Sequence, residues 1–560
     1  MPVYFFTILL FWVIFSLAGI LFTHPWRTLF PISRCLGIFF WLGWLGTIFF
    51  LQAWHLFFPV NLSAFSLLLI TALAGWLFYH KAITAVILKY YRSIFIALII
   101  IFLLMLPALT WVWVAPLDYD SRLYHIQAIK WALNHPLVPG LANLHDRLAY
   151  SFSYFLYPAL LDTIHPQMHH LANSLLLFAF LIQAAYSTLR LLHRSKENIY
   201  GDFLTIAFTL PILYLFFPTM ISSPSPNTSV GLLEILATIA LANQTWPLAI
   251  IYAAGLAIFK INALAFALIV LLIMTCHYCT LRTWRNLIKL WVFFLSISGL
   301  SAIRNIVLSG YPFYPLSWFP APVEWRLPLA CPQRALLWIK AFARQPIDQP
   351  ISYQLIYSYA WLKSWLSEFF RHFQQVQIPF ACGITGTLAL IMRRCLYGLH
   401  GLRLVIPFIP ALITLVIWFI TAPSLRFAEA LLIICGIGPL AAALYQIYLT
   451  GPVKLLKPLA ITGMIAAFIA FYPFIFLTTL AHQPGLNPLP SIQASSKTLS
   501  DGSLIYVPQE SDRCNEYSLP CAPYAHPALK RRNTLNLSRG FMVSPRDEND
   551  PTVGASPHQK

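Results

Sequence analysis

Acidic side chains are scarce. Asp and Glu number 18 against 36 Lys and Arg in 560 residues, and charge of either sign makes up only 10% of the chain. A soluble domain carries about 25% charged residues, so this chain lacks the polar covering a water-facing exterior requires. Soluble enzyme folds and nucleic-acid modules are thereby excluded as its main body. No basic stretch precedes the first apolar run, which therefore lacks the n-region of a secretory signal peptide and reads as a retained first helix. No repeat at a period of about 20 to 50 residues is present to suggest a solenoid.

What the sequence does have is apolar surface: 59% hydrophobic residues, 16% aromatic, and a mean hydropathy of +0.71. Apolar runs fall at approximately 2–22, 36–58, 60–79, 94–115, 171–189, 203–218, 229–242, 247–259, 261–275, 290–308, 378–392, 404–420, 427–447 and 458–481. At about 20 residues per crossing, these make an all-α integral membrane protein of about 13–14 transmembrane segments. The net charge of +18 does not form one basic patch that would suit a polyanion. It is spread over short loops and reports orientation.

Cytoplasmic loops retain Lys and Arg. Arg27 and Arg34, then Lys81, Lys89 and Arg92, then Arg190, Arg194 and Lys196, then Arg282, Arg285 and Lys289, then Arg393, Arg394 and Arg403, then Lys454 and Lys457 all fall on one side. The alternation requires that Pro247 to Thr275 be two short segments breaking near Lys260 and Asn262. Both termini then face outward, as do two long loops, 116–170 and 310–377. The membrane domain spans 1–481, and an extracytoplasmic tail spans 482–560. In that tail Cys514 and Cys521 suit a disulfide, as a close pair in a translocated segment. Leu504 to Val507 is the strand candidate, and the tail reads as a small appendage with a loose end. Cys276 and Cys279 lack the second pair a zinc site needs, and Cys331 has no assigned role.

Polar groups in a chain this apolar are the informative exceptions, and they collect on the outer side. The first loop opens Asp118-Tyr119-Asp120-Ser121-Arg122-Leu123-Tyr124-His125, and Leu123, Ile126, Ile129 and Leu133 recur at helical spacing. This predicts an amphipathic helix lying on the membrane. Asp118 and Asp120 suit a general base or the ligands of a divalent cation; the alternative is that one of them caps the helix. Arg147 suits a phosphate because its guanidinium donates two parallel hydrogen bonds; the alternative is a pairing with Asp146. His125 and His145 join the candidate substrate- or phosphate-binding residues; with His165, His169 and His170 they have no carboxylate at a recognisable metal spacing, and the bland reading of most of the five is interfacial. Lys260, Arg304 and Arg426 gather on the same face, where a lipid-linked phosphate or the headgroups of ordinary membrane lipids would account for them. Glu234 lies mid-span as either a functional acid or a buried hydrogen-bonded one.

An early acidic loop, a juxtamembrane helix, the hairpin Gly255-x-x-x-x-Lys260 and a late outer-face Arg together resemble the GT-C superfamily of membrane glycosyltransferases. Tyr124-His125-x-Gln127, Pro139-Gly140-Leu141-Ala142-Asn143-Leu144-His145-x-Arg147, Arg304-Asn305, Ser309-Gly310-Tyr311-Pro312-Phe313-Tyr314-Pro315, Ala422-Pro423-x-x-Arg426-Phe427, Tyr506-Val507-Pro508 and Pro520-Cys521-x-Pro523 resemble an uncharacterised bacterial family of multi-spanning membrane proteins. The GT-C resemblance implies transfer of a sugar from a polyprenyl-phosphate donor to a glycan, lipid or protein acceptor at the outer face of the bacterial inner membrane. A first-loop carboxylate, with Asp120 as first candidate, would activate the acceptor hydroxyl, with or without a divalent cation. Where such relatives often carry Asp at the outer start of a middle helix, this chain has Asn227. A transporter or flippase, a glycan polymerase or ligase, and a non-catalytic assembly factor are the competing readings; an essential acid at 118 or 120 favours the GT-C reading over them.

Overall fold

A computed structural model describes residues 2–24, 32–111, 116, 118–150, 152–192, 199–216, 220–345, 351–397, 404–450, 489, 491–543, 548–550 and 552–553. Among them the helices are α1 Pro2–Phe22, α2 Ile32–Trp54, α3 Leu62–Trp111, α4 Ile126–Asn134, α5 Leu141–Leu144, α6 Phe152–Asp162, α7 Ala172–Leu192, α8 Tyr200–Phe216 and α9 Pro226–Ala242. They continue as α10 Trp246–Phe259, α11 Leu264–Thr280, α12 Trp284–Ser309, α13 Ala330–Phe342, α14 Trp361–Phe369, α15 Ile378–Tyr397, α16 Ile409–Thr421 and α17 Glu429–Thr450. Eight helical stretches among the described residues are long and apolar enough to cross a membrane, and four shorter apolar helices accompany them. The chain is thus a predominantly helical, multi-pass membrane protein. The expected span 458–481, with Lys454 and Lys457, lies outside the described residues.

The runs 60–79 and 94–115 are expected as two spans joined by a basic loop, whereas α3 is helical throughout except at Tyr90 (φ −119°, ψ 15°). Lys81, Lys89 and Arg92 are therefore on helix. The break at Tyr90 nonetheless reverses the chain. Phe65 packs edge-on to Phe11 and Phe102 edge-on to Phe5, with ring centroids 6.3 and 4.9 Å apart. In a straight helix Phe65 and Phe102 would stand about 55 Å apart, whereas six positions of α1 cover about 9 Å. The halves of α3 must therefore run back along one another on α1.

Small residues let the first helices close. A Cβ at Gly19 would lie 1.9 Å from the Phe39 carbonyl oxygen, and one at Gly43 would lie 1.8 Å from that of Phe15. This backbone approach is the usual means of packing helices where lipid removes any hydrophobic gain from association. Farther along, α10 ends at Lys260, whose extended backbone (φ −156°, ψ 135°) passes through a single 3₁₀ turn, Ile261–Ala263, into α11. The apolar stretch from Pro247 to Thr275 is accordingly two helices with a cation at the turn.

The tail is more built than its sequence suggests. Strands β1 Ala494–Thr498 and β2 Leu504–Pro508 pair antiparallel, as do β3 Leu529–Arg531 and β4 Phe541–Val543. A disulfide joins Cys514 to Cys521. The tail is also no loose appendage, because it packs back onto the first loop. The Phe541 amide donates to the Pro139 carbonyl at 3.1 Å. A Cβ at Gly540 (φ +89°) would fall 1.8 Å from that oxygen, and one at Gly140 (φ +64°) would fall 2.1 Å from the Phe541 oxygen. Only glycine suits such positive φ at so close an approach.

This docking corrects the expectation for α4. Ile126, Gln127, Ala128, Ile129, Trp131 and Ala132 are all buried, so the helix does not lie open on a membrane surface. One side packs on α6. The polar side is covered by the tail: Gln127 Nε2 donates to the Asn515 and Tyr517 carbonyls at 3.0 and 3.1 Å, and Lys130 Nζ to those of Glu516 and Tyr517 at 2.6 and 2.8 Å. Cys331 is likewise accounted for by packing: it is fully buried, and its thiol reaches the Asp550 carbonyl at 3.3 Å.

Candidate functional site

Five segments far apart in sequence converge beside the start of α4. The first supplies Asp118 and Asp120, which lead into a wide π-type turn, Ser121–His125; such turns rotate side chains out of α-helical register and are common at functional sites. Asp120 Oδ1 accepts from Arg147 Nη1 at 2.7 Å, and Asp120 Oδ2 accepts from Arg426 Nη1 at 3.3 Å. Arg147 in turn lies over the Trp338 ring, 5.2 Å from its centroid, which joins α13 to the cluster. Arg426 lies over Phe427 and Phe342 at 4.8 and 5.5 Å.

Lys260 enters from the α10–α11 turn. Its ammonium stands over the Phe427 ring at 4.5 Å and donates to Asn227 Oδ1. Asn227 is at the head of α9, behind the cap Ser225. Thus Asn227 is the residue holding Lys260. Ser121 Oγ meets Asp118 Oδ2 at 3.2 Å, His125 Nδ1 at 3.0 Å and Ser223 Oγ at 2.5 Å, so a buried polar chain runs from the first loop to the α9 entry.

The two aspartates differ electrostatically. Burial alone would raise the Asp120 carboxyl, but the guanidiniums of Arg147 and Arg426, aided by Lys260, hold it below the ordinary carboxylate value. Burial raises Asp118, and the neighbouring Asp120 charge raises it further. Burial drives His125 down to about 3, so its ring is neutral. The arrangement offers an ionised carboxylate between cations, a second carboxyl of higher proton affinity, and several donors suited to a phosphate.

His145 and Asp146 stand in an adjoining cluster. Asp146 Oδ2 accepts from Arg334 at 3.2 Å and from the Tyr314 hydroxyl at 3.4 Å, while His145 Nε2 lies 3.9 Å from Asp146 Oδ1. Burial takes His145 down to about 3 and pushes Asp146 up against the pull of Arg334 and Arg147. Arg147 pairs with Asp120, and the neighbouring Asp146 adds to the negative charge around it.

Arg304 is not brought to this group. It is fully buried on α12, donating to the Gln52 carbonyl at 2.7 Å and meeting His55 Nδ1 at 3.0 Å. It ties α12 to α2. Glu234 is buried within α9, below Asn227. The described residues also bring three metal-ligating side chains within 4.8 Å of one another at His169, His170 and Glu516, a set that includes neither Asp118 nor Asp120.

Sequence reasoning missed Arg334, Trp338 and Ser223. Ser223 was visible in Ser223-Pro224-Ser225-Pro226-Asn227, a run whose polar residues open α9. Arg334 and Trp338 carry no local signal, because their partners lie in the first loop. Residues 1–433 match the family model described as Domain of unknown function (DUF8201), and the chain belongs to that family. No curated protein and no solved structure matches it.

Proposed function

We propose that this DUF8201 member is a membrane glycosyltransferase of GT-C type. In this reading it moves a sugar from a polyprenyl-phosphate donor to a cell-envelope hydroxyl at the outer face of a bacterial inner membrane. About 13–14 spans with both termini outside go with it. The observation that carries the reading is the Asp120 carboxylate held between Arg147 and Arg426, with Lys260 beside it. Three cations gathered at one buried carboxylate make an anion site that a phosphate can enter by taking over the guanidiniums.

In the proposed reaction the acceptor oxygen forms a bond to the sugar's anomeric carbon as the bond from that carbon to the phosphate oxygen breaks. The electron pair leaves with the polyprenyl phosphate, where Arg147, Arg426 and Lys260 stabilise the growing charge. The acceptor proton passes to a first-loop carboxylate. Asp118 has the higher proton affinity and is the better acceptor, contributing about 10² to 10⁴ in rate; Asp120 orients the cations. The test is in-membrane sugar transfer from a pool of polyprenyl-phosphate sugars by wild type, Asp118→Asn and Asp120→Asn at matched expression. Loss of transfer in the variants supports the reading. Undiminished transfer by both variants, or none by wild type from any donor, overturns it and favours lipid transport or assembly.

A further inference from the structure

A second constellation lies at the head of α7. His169 and His170 occupy a 3₁₀ turn, Met168–Leu171, and their rings stack with centroids 4.5 Å apart. Glu516 comes from the tail, inside the loop that the Cys514–Cys521 disulfide closes. One ligand-capable atom from each of the three lies within 4.8 Å of the others.

The hydrogen bonds around these rings settle which nitrogen each presents. His169 Nδ1 lies 2.8 Å from Asp162 Oδ2, and the Asp162 carboxylate also takes the His169 backbone amide at 2.6 Å. A carboxylate can only accept, so Nδ1 carries a proton, and Nε2 is the nitrogen left to take a metal in exchange for any second proton. That Nε2 is buried and has no hydrogen-bond partner among the described residues, in a side chain only 3% exposed. His170 Nδ1 meets the Ser222 carbonyl at 3.1 Å, which likewise fixes the proton on Nδ1 and turns the Nε2 lone pair outward. Carboxylate or carbonyl groups behind metal-bound imidazoles do this in metalloproteins generally. Glu516 is itself steadied: both its carboxylate oxygens accept from Gln167 Nε2, at 3.3 and 3.2 Å. Its loop is pinned to α4 by Lys130, which donates to the Glu516 carbonyl at 2.6 Å.

We propose that His169, His170 and Glu516 bind a divalent transition-metal ion that staples the disulfide-closed tail loop to the head of α7. Two imidazoles and one carboxylate are the borderline ligand set that Zn²⁺ takes, with the fourth tetrahedral position left to water or another donor. Hard cations such as Mg²⁺ and Ca²⁺ prefer all-oxygen ligands and fit this set poorly. The proposal is independent of any sugar chemistry at Asp120.

The experiment uses the full chain purified in detergent and stripped with EDTA, with Zn²⁺ as the probe. Calorimetric titration and metal analysis are expected to give one ion per chain and a raised melting temperature. Glu516→Gln keeps the side chain's size and its contact to Gln167 while removing the charged ligand, and it should weaken binding at least tenfold. Asp162→Asn should weaken binding about 10- to 100-fold through loss of ring orientation alone. His165→Gln, at an exposed neighbour, should leave binding unchanged. Zn²⁺ should also protect the tail from limited proteolysis in wild type and not in Glu516→Gln. No binding of Zn²⁺ by the stripped wild type, or equal affinity in wild type and Glu516→Gln when both elute as the same monodisperse species, would overturn the assignment.

Discussion

The guanidinium of Arg426 donates to the carboxylate of Asp120 at 3.3 Å across 306 residues of chain. The contact joins the turn before the last described helix to the first long loop, and it sets one wall of the cation cluster. Arg426 is 40% exposed at its side chain, so the pair adds little to stability. Arg426→Ala should therefore leave the melting temperature nearly unchanged. It should raise the KM for a polyprenyl-phosphate donor about 10- to 100-fold, the range for losing a hydrogen bond to a charged group, as steady-state transfer assays would show.

Arg304 should behave in the opposite way. Its loss leaves the Gln52 carbonyl and His55 Nδ1 buried without the donor they have now, at about 1–3 kcal/mol for each unsatisfied group. Arg304→Ala is expected to lower the melting temperature in detergent by several degrees, and donor KM in the surviving folded fraction should stay within about twofold of wild type.

Stability should depend on pH through the buried histidines. His125 and His145 titrate at about 3 in the folded chain and at about 6.5 when unfolded. Between those values the unfolded chain binds more protons, so stability rises with pH and falls as pH drops from about 6.5 towards 3. Each histidine contributes about 1.4 kcal/mol per pH unit. Asp118 and Asp146, both raised, oppose this trend only from about 3.8 up to their folded values. Asp120, held low, reinforces it below about 3.8. Melting curves from about pH 4 to 7 should show the slope, and His145→Gln should flatten it.

Reduction of the Cys514–Cys521 bridge frees a loop with a sequence separation of seven. A typical disulfide contributes about 2–4 kcal/mol, and a loop this short sits at the low end. Cys514→Ser with Cys521→Ser should make the tail more susceptible to limited proteolysis around 509–525, while the membrane helices remain protected.

Gly540→Ala should detach β4 from the first loop, since its Cβ would meet the Pro139 oxygen at 1.8 Å with φ at +89°. Hydrogen exchange at Phe541, whose amide donates to Pro139, is expected to speed up by an order of magnitude or more.

Much of the helical order was legible because each crossing needs its own apolar run and every Lys or Arg interrupts one. The break at Lys260 was legible for the same reason, since one uninterrupted helix would have upset the charge alternation. The sequence reads this stretch as two runs, 60–79 and 94–115, whereas α3 stays helical through the basic residues between them except at Tyr90, because composition does not mark where a helical backbone continues. The burial of α4 was misread because the groups covering Gln127 and Lys130 are carbonyls of Asn515, Glu516 and Tyr517, and backbone acceptors leave no mark in sequence. Strands of three residues such as β3 and β4 are too short to show an alternating pattern. At the candidate site, residue types pointed to Asp118, Asp120, Arg147, Lys260 and Arg426, which the structure brings together, and to Arg304, which it sets against Gln52 and His55. A cation near a helix end looks alike whether it faces a lipid phosphate or a neighbouring helix's carbonyl.

The tail's return to α4 bears on how the chain matures. Gln127 waits 388 residues for the Asn515 carbonyl it donates to. At about 5–20 residues per second of synthesis, the first loop spends roughly 20 to 80 seconds without its cover, with Gln127 and Lys130 open to water. A ribosome that stops after the membrane helices would therefore release a chain whose first long loop has never been closed by the tail.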